Sequence, residues 1–462
     1  MQYTLKNIIT ISGVGIHTGV TTNITLKPAN INTGIQFIRI DLEGSPIIKA
    51  DVDNVFYTDR STGLRSGISE IHTVEHILAS IVGSQIDNII IEVDNIEIPI
   101  LDGSAKEFTR LISDTGLETQ NAKRNFFEIK KKIHFKDEET GTILTAEPAE
   151  EYSVEVNIDY NSNTLGVQKA SMRSINEFNE HFASSRTFCF LHELEGLLKN
   201  NLIKGGDVNN AIVIVEENIS SEKLNKLKKV FNKQDIQVTE GGILNNLTLR
   251  HENEPARHKL LDVVGDLSLI GFPIKGKITA YKPGHKNNID FAKKLKEIMK
   301  EDISKTAPEI NFNEVPMYNK EKIKTILPHR EPFLFIDEIR ELGEDYIIGI
   351  KFVTDDEDYF KGHFPGEPVM PGVLQLESMA QVGGVLILST VENPEDYLTF
   401  FMKIDNAKFK KKVVPGNTII FRLNLISPVR RGLCHMHGKG FVDGEIVVEG
   451  DLLAQISPKD KI

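Results

Sequence analysis

Cysteine is scarce in this sequence. Among 462 residues there are only two, Cys189 and Cys434, far apart and neither in a CxxC pair. That spacing argues against a disulfide framework or a thiolate zinc cluster and fits a reducing compartment. Basic charge is also in deficit, with 54 Lys and Arg against 66 Asp and Glu and a net charge of −12. Coating nucleic acid by phosphate neutralisation does not suit such a balance, so no nucleic-acid partner is expected and only a local basic patch remains open. Long apolar runs are missing: no stretch reaches the roughly 18 uninterrupted apolar residues of a membrane span. The opening MQYTLKNIITISGVGI has neither the charged lead and apolar core nor the small-residue cleavage site of a secretory signal. A cytoplasmic protein without a transmembrane segment is the expectation. Short repeats, low-complexity tracts and sustained heptads are absent as well.

What is present is the balance of an ordinary globular protein, 40% hydrophobic and 26% charged, in a chain about three times a typical domain length. Two or three folding units follow. From residue 1 to about 290, strand-like runs such as 89–93 (IIIEV) and 211–215 (AIVIV) alternate with amphipathic stretches such as 72–82, an α+β pattern. The helical segment 291–300 gives way to EDISKTAPEINFNEVPMY, polar and without a period, which reads as a linker over 301–318. Beyond it, 333–339 and 346–353 read as paired strands. Segment 372–390, starting after Pro371, is apolar almost all round, as a buried helix would be. Strands 398–409, 418–427, 433–442 and 446–456 follow, with Asp443-Gly444 suited to a tight primed hairpin turn. One long helix wrapped by an antiparallel sheet is the economical reading.

In the first half, HKLLD places His258 and Asp262 four apart on a helix that Pro255 would open, and residues at that spacing share one face. Two ligands can then meet one ion. Glu75 and His76 in HTVEH point about 100° apart on a helix, so one can ligate while the other faces a bound water. Two imidazoles and a carboxylate suit zinc, whose open fourth position lowers the pKa of water towards 7 and makes hydrolysis the natural chemistry. Taken alone, an HxxxD pair is more often an ordinary core or surface arrangement. Its company changes the balance: SSRTF with Thr187 and Phe188, and YKPGHKNN with His285, add the residue types of oxyanion donor and acid. The loop SGVGIHTG, with His17, is not a GxGxxG opening a helix in a βαβ unit, so a dinucleotide site is rejected.

These motifs, with ILDGSA (100–105) and RHKLLDVVGD (257–266), resemble UDP-3-O-acyl-N-acetylglucosamine deacetylase, the zinc amidase of lipid A synthesis, in order and over nearly all of 1–290. The resemblance implies one Zn2+ per chain on His76, His258 and Asp262, with Glu75 as general base, Thr187 assisting the oxyanion and His285 as acid. It also implies that Lys259, Asp266, Phe188 and His17 serve substrate binding or orientation. The implied fold is a layered α/β sandwich of two similar subdomains, 1–125 and 126–300, with the active site between them and a hydrophobic passage for the acyl chain.

In the second half, GHFPGEPVMPGVLQLESMAQ (362–381) carries His363 before the central helix and Glu377 in its second turn. The free N–H of Gly372 at the helix start, reinforced by the helix dipole, suits a carbonyl oxygen gaining negative charge. A neutral His363 there can take a proton from the carbon beside a thioester while Glu377, or a water bound to it, protonates the departing hydroxyl, a dehydration. An isolated pair would more simply be a turn histidine and a salt-bridging glutamate. Motif density decides otherwise: with LPHREPFLFID (327–337), DNAKFKKKVVPG (405–416) and RRGL (430–433), residues 319–462 resemble (3R)-3-hydroxyacyl-[acyl carrier protein] dehydratase.

That resemblance implies a hot-dog fold, no cofactor, an acyl carrier protein partner, and dimers, three per hexamer, in which His363 meets Glu377 of the opposite subunit. Lys408, Lys410, Lys411, Lys412, Arg430 and Arg431 would form a basic rim for the carrier protein, or serve only against edge aggregation. The whole then reads as a bifunctional enzyme acting on a UDP-sugar lipid precursor and on acyl carrier protein. The alternatives for the second half are a hot-dog thioesterase or a non-catalytic oligomerisation and carrier-binding module.

Overall fold

Strands of the first unit alternate buried and exposed positions, as in Thr21–Pro28, where Thr22, Ile24 and Leu26 point inwards, and this period of two builds sheets with one face on a core. In the computed structural model the chain divides into Met1–Glu297 and Ile298–Ile462. The structure describes residues 1–194, 204–205, 210–216, 224–225, 228, 236–239, 242–244 and 248–459.

The first unit holds two five-stranded sheets of the same topology. One runs in the order Ile9–Val14, Thr21–Pro28, Ile89–Val93, Ile35–Arg39, Ile47–Lys49, and the other Ile133–Lys136, Ile143–Glu147, Lys277–Tyr281, Ser153–Ile158, Gln168–Met172. In each, the last strand in sequence sits at the centre, antiparallel to the second and parallel to the third. Each central strand is preceded by a helix, α1 (Glu75–Gly83) or α3 (Glu254–Ser268), and followed by another, α2 (Lys106–Thr115) or α4 (His285–Lys305). Sheet pairing changes hands between Leu117–Gln120, which pairs with Gln2–Leu5, and Phe127–Glu128, which pairs with Ile274–Lys275. Segment 211–215 contains the strand Ile212–Ile214, parallel to Phe188–Phe190.

The second unit is a seven-stranded antiparallel sheet in the order Tyr318–Asn319, Glu338–Leu342, Tyr346–Phe352, Thr418–Leu425, Leu433–Val442, Glu445–Pro458, Tyr397–Phe409. Against it lies α5 (Gly372–Leu388), whose Leu376, Met379, Val382, Val385 and Leu386 are buried in one core with Ile347, Phe421, Leu423 and Met436. Close approach is possible because Gly438 faces the helix: a Cβ there would lie 2.3 Å from Met379 Sδ. Asp443 and Gly444 have φ of 50° and 80°, the left-handed pair that a primed hairpin turn requires. The architecture is the expected one, α+β with a central helix and antiparallel sheet in the second half. Among the described residues, no helix is long and apolar enough to cross a membrane.

Two local expectations change. Helix 291–300 extends from His285 to Lys305, because Ile289, Phe291, Ala292, Leu295 and Met299 continue one buried stripe; the segment read as linker therefore begins inside a helix and ends in the edge strand at Tyr318. The strand expected over 333–339 starts only at Glu338. Gln381 of α5 occupies the missing ladder: its Oε1 accepts from the Phe335 N–H and its Nε2 donates to the Phe333 carbonyl, each at 2.8 Å. Gln381→Leu is expected to leave the buried Phe335 N–H unpaired and to destabilise the second unit by about 1–3 kcal/mol. Calorimetry of the full chain should show an earlier transition for that unit and none for the first; an unchanged pair of transitions would show that this side chain carries no such burden.

Candidate active sites

The first site forms where α1 meets α3. Gly265 makes the contact: a Cβ on it would lie 2.2 Å from the Glu75 carbonyl oxygen, so only glycine lets the start of α1 rest on α3 one turn from Asp262. The rings of His76 and His258 then stand 5.1 Å apart, edge to face. Ligating atoms of His76, His258 and Asp262, all buried, lie within 4.8 Å of one another. His258 Nδ1 donates to the Ser185 carbonyl at 3.0 Å, which fixes the tautomer and leaves Nε2 with its lone pair 3.3 Å from Asp262 Oδ1. The Ser185 carbonyl is itself anchored by Arg186, whose N–H, Nε and Nη2 all donate to the buried Glu254 at the start of α3.

Electrostatics favour a cation at that point. Asp262 Oδ2 accepts from Lys259 Nζ at 2.8 Å, whereas Oδ1 is buried and receives no hydrogen bond. Burial opposes the Asp262 charge, yet His258 and Lys259 beside it hold its carboxyl well below the usual range. Burial and then the neighbouring His258 push His76 down to about 3, so it stays a neutral imidazole. Two imidazole lone pairs and an unsatisfied carboxylate oxygen facing one point are the donor set a borderline divalent metal takes.

Around this point the remaining candidates gather. Glu75 is buried, its Oε2 accepts from the Thr62 N–H at 3.0 Å, and burial pushes its carboxyl up to about 7. His285, at the start of α4, donates from Nδ1 to Asp266 Oδ2 at 2.9 Å, with Nε2 3.9 Å from Asp262 Oδ2. Burial opposes its protonation, but the carboxylates of Asp266 and Asp262 outweigh that and raise it to about 9. A cleft of about 380 Å³ exposes Glu75, His76, Thr187, Phe188, His258, Lys259, Asp262, His285 and His17 to one space. Asp266 lies behind His285 with no exposed surface. Lys259 Nζ sits 5.7 Å from the centre of the Phe188 ring.

Sequence reasoning missed several groups here. Glu97 accepts from the His17 and Thr18 N–H groups and from the Thr73 hydroxyl, pinning the glycine-rich loop. Tyr160 meets Phe188 edge-on at 5.5 Å. Asn288 donates to Asp266 Oδ2 at 2.8 Å; its place three residues after His285 on one helix was a usable signal, whereas Glu97, Tyr160 and Thr62 act through tertiary contacts with no local pattern.

In the second unit, His363 Nδ1 donates to the Val369 carbonyl at 2.8 Å, which leaves Nε2 with its lone pair free. Gly372 opens α5. Glu377 Oε1 accepts from Gln381 Nε2 at 2.9 Å and lies 3.5 Å from Nε2 of His329, a histidine of the LPHREP motif that had not been singled out. Glu377, His329 and Gln381 border an apolar pocket of about 100 Å³ that runs along α5 to Ile387 and Phe400, and His363 is not among the described residues lining it. Strand Tyr397–Phe409 forms the sheet edge with Phe400, Phe401, Met402, Ile404 and Phe409 all exposed. In the expected basic rim, Lys408 and Lys410 pair with Glu449 and Lys411 with Glu445.

Comparison with known proteins agrees with both halves. Residues 2–233 and 225–297 match the family UDP-3-O-acyl N-acetylglycosamine deacetylase, and residues 327–451 match the FabA-like domain. The chain is 47% identical over 456 residues to a bifunctional enzyme LpxC/FabZ of Bacteroides thetaiotaomicron, covering 98% of each. It is 45% identical over 455 residues to the bifunctional enzyme LpxC/FabZ of Porphyromonas gingivalis, again covering 98% of each. A UDP-3-O-acyl-N-acetylglucosamine deacetylase of Psychrobacter is 37% identical over 292 residues, 62% of this chain and 89% of that protein.

The Gly265 contact makes a prediction. Gly265→Ala should force α1 off α3, weakening divalent-metal affinity about 10- to 100-fold and costing about 1–3 kcal/mol of stability from overpacking. Metal titration of the full chain beside a denaturation curve measures both; full affinity in the variant would show that the helix contact does not set the ligand geometry.

Proposed function

Because the chain belongs to the UDP-3-O-acyl N-acetylglycosamine deacetylase family over residues 2–297 and carries a FabA-like domain over 327–451, we propose that it is a bifunctional enzyme. Its first unit hydrolyses the acetamide of UDP-3-O-[(3R)-3-hydroxyacyl]-N-acetylglucosamine, in lipid A synthesis. Its second dehydrates (3R)-3-hydroxyacyl-[acyl carrier protein] to the trans-2-enoyl thioester, in fatty acid synthesis. The observation that carries the first assignment is the buried, unpartnered Asp262 Oδ1 facing His76 and His258 between Glu75 and His285.

His76, His258 and Asp262 would hold one Zn2+. When bound, such an ion polarises a carbonyl and lowers the pKa of water. Glu75, in the same cleft, accepts the proton of the attacking water as the new C–O bond forms. Thr187, on the cleft wall, offers its hydroxyl to the oxygen that becomes negative, and Lys259 adds positive charge nearby. His285, held by Asp266 through Nδ1, presents Nε2 to the sugar nitrogen and protonates it as the C–N bond breaks, releasing acetate. Phe188 and His17 line the side on which substrate enters. The Asp266 carboxylate at Nδ1 favours the protonated imidazole that a proton donor needs.

In the second unit, His363 Nε2 removes the proton from the carbon next to the thioester, and Glu377 protonates the hydroxyl that leaves as water. Gly372 N–H, at the start of α5, receives the charge on the thioester oxygen. The exposed aromatic edge strand, and a Glu377 pocket whose described lining lacks His363, support a dimer in which the pair forms between subunits. We take the assembly as a hexamer of three such dimers, the subdomains as 1–125 and 126–300, the non-helical part of 301–318 after Lys305 as the linker, and the dehydratase domain as 319–462. Two free cysteines and carrier-protein substrates support a cytoplasmic location.

Assaying the purified chain for acetate release and enoyl formation tests the proposal. Glu75→Ala should lower the first reaction about 10²- to 10⁴-fold and spare the second, and His363→Ala should do the reverse. Zinc should be near one per chain and fall in His76→Ala or His258→Ala. Free fatty acid in place of enoyl product, or active protein without bound metal, would refute the corresponding half.

A further inference from the structure

Thr62 begins the short strand Gly63–Ser66 from the preceding position and has no exposed surface. Its carbonyl accepts from the Val74 N–H at 3.2 Å, at the N-cap of α1. Its own N–H donates to Glu75 Oε2 at 3.0 Å, and its hydroxyl donates to Asp266 Oδ1 at 2.6 Å while lying 3.3 Å from His285 Nδ1. One residue thus touches the proton acceptor on α1, the carboxylate on α3 and the proton donor on α4.

The geometry around Asp266 gives that hydroxyl a specific task. Oδ2 accepts from His285 Nδ1 and Asn288 Nδ2, and Oδ1 is taken by Thr62. With both oxygens engaged on opposite sides, the carboxylate cannot rotate about its own axis without breaking a buried hydrogen bond, and no solvent reaches Asp266 to replace one. The Oδ2–Nδ1 direction is then fixed, and so is the line along which His285 Nε2 faces the cleft. Freed of Thr62, the same carboxylate can turn and carry the imidazole with it, and displacement of a reacting group by about 1 Å costs on the order of 100-fold in rate.

We propose that Thr62 is a positioning residue of the deacetylase, joining the base Glu75 through its backbone to the acid His285 through its hydroxyl and Asp266. The inference rests on the deacetylase reading of this site. Thr62→Val keeps the backbone bond to Glu75 and removes only the hydroxyl; Thr62→Ser keeps both.

The full chain, labelled with ¹⁵N-histidine and loaded with zinc, supplies the test in two readouts. In Thr62→Val, kcat for acetate release should fall about 10- to 100-fold with KM and zinc content unchanged, and Thr62→Ser should recover most of the rate. In an Asp266→Asn background the same Thr62→Val change should cost less than about twofold, since coupled residues are not additive. The His285 Nδ1–H resonance should shift or vanish by exchange in Thr62→Val and return in Thr62→Ser. Wild-type kcat with an unmoved resonance in Thr62→Val would overturn the proposal. So would zinc loss or unfolding in that variant, or a full additive cost in the Asp266→Asn background. If the unaltered protein releases no acetate, the deacetylase reading fails instead, and the His285 resonance still decides whether Thr62 holds the imidazole.

Discussion

The contact on which the first unit depends is that between the start of α1 and the middle of α3, closed to backbone distance by Gly265. Each helix precedes the central strand of its own five-stranded sheet, so two sheets of one topology bring equivalent helices together at a single seam. At the seam one helix supplies Glu75 and His76 and the other supplies His258, Asp262 and Asp266. Burying so many ionisable groups is costly unless each is paired or faces a cation. Most of those groups have a partner on the protein, and among the described residues the buried carboxylate oxygen without a hydrogen bond is Asp262 Oδ1, beside the imidazoles.

The two halves handle negative charge in different ways. In the first, cationic and hydrogen-bonding groups line a cleft, with the Asp266 carboxylate held against His285. In the second, the proposed reaction would put the charge at the backbone N–H that opens α5, with a histidine tied to its own loop and a glutamate tied to its own helix as the proposed acid–base pair. On the proposed function both substrates carry a 3-hydroxyacyl chain, and each unit offers apolar residues beside its polar groups. One chain thereby holds in fixed ratio two activities that draw on related acyl groups.

Much of this was legible in the sequence because the decisive spacings are local. His258 and Asp262 fall on one face at i and i+4, Pro371 and the apolar run fix α5, and Asp443-Gly444 fixes a turn. What escaped was set by tertiary contact. Segment 333–337 has strand composition, but a glutamine from α5 takes the Phe333 carbonyl and the Phe335 N–H, and pairing with the neighbouring strand begins only at the Asp337 N–H. The shared sheet order left no sequence repeat, since burial on one face needs only alternating apolar residues, which many sequences supply. Thr62 engages Glu75 through its peptide N–H, which every residue but proline has, so nothing in its identity announces the bond. His329 lay inside a recognised motif, and only its approach to Glu377 distinguishes it.

Anomalous diffraction from crystals of the full chain, collected on both sides of the zinc absorption edge, tests the account most directly. One peak per chain should appear within bonding distance of His76, His258 and Asp262, with no sulfur ligand and with Glu75 and His285 facing it. A peak elsewhere, or none in protein that releases acetate, would contradict the account.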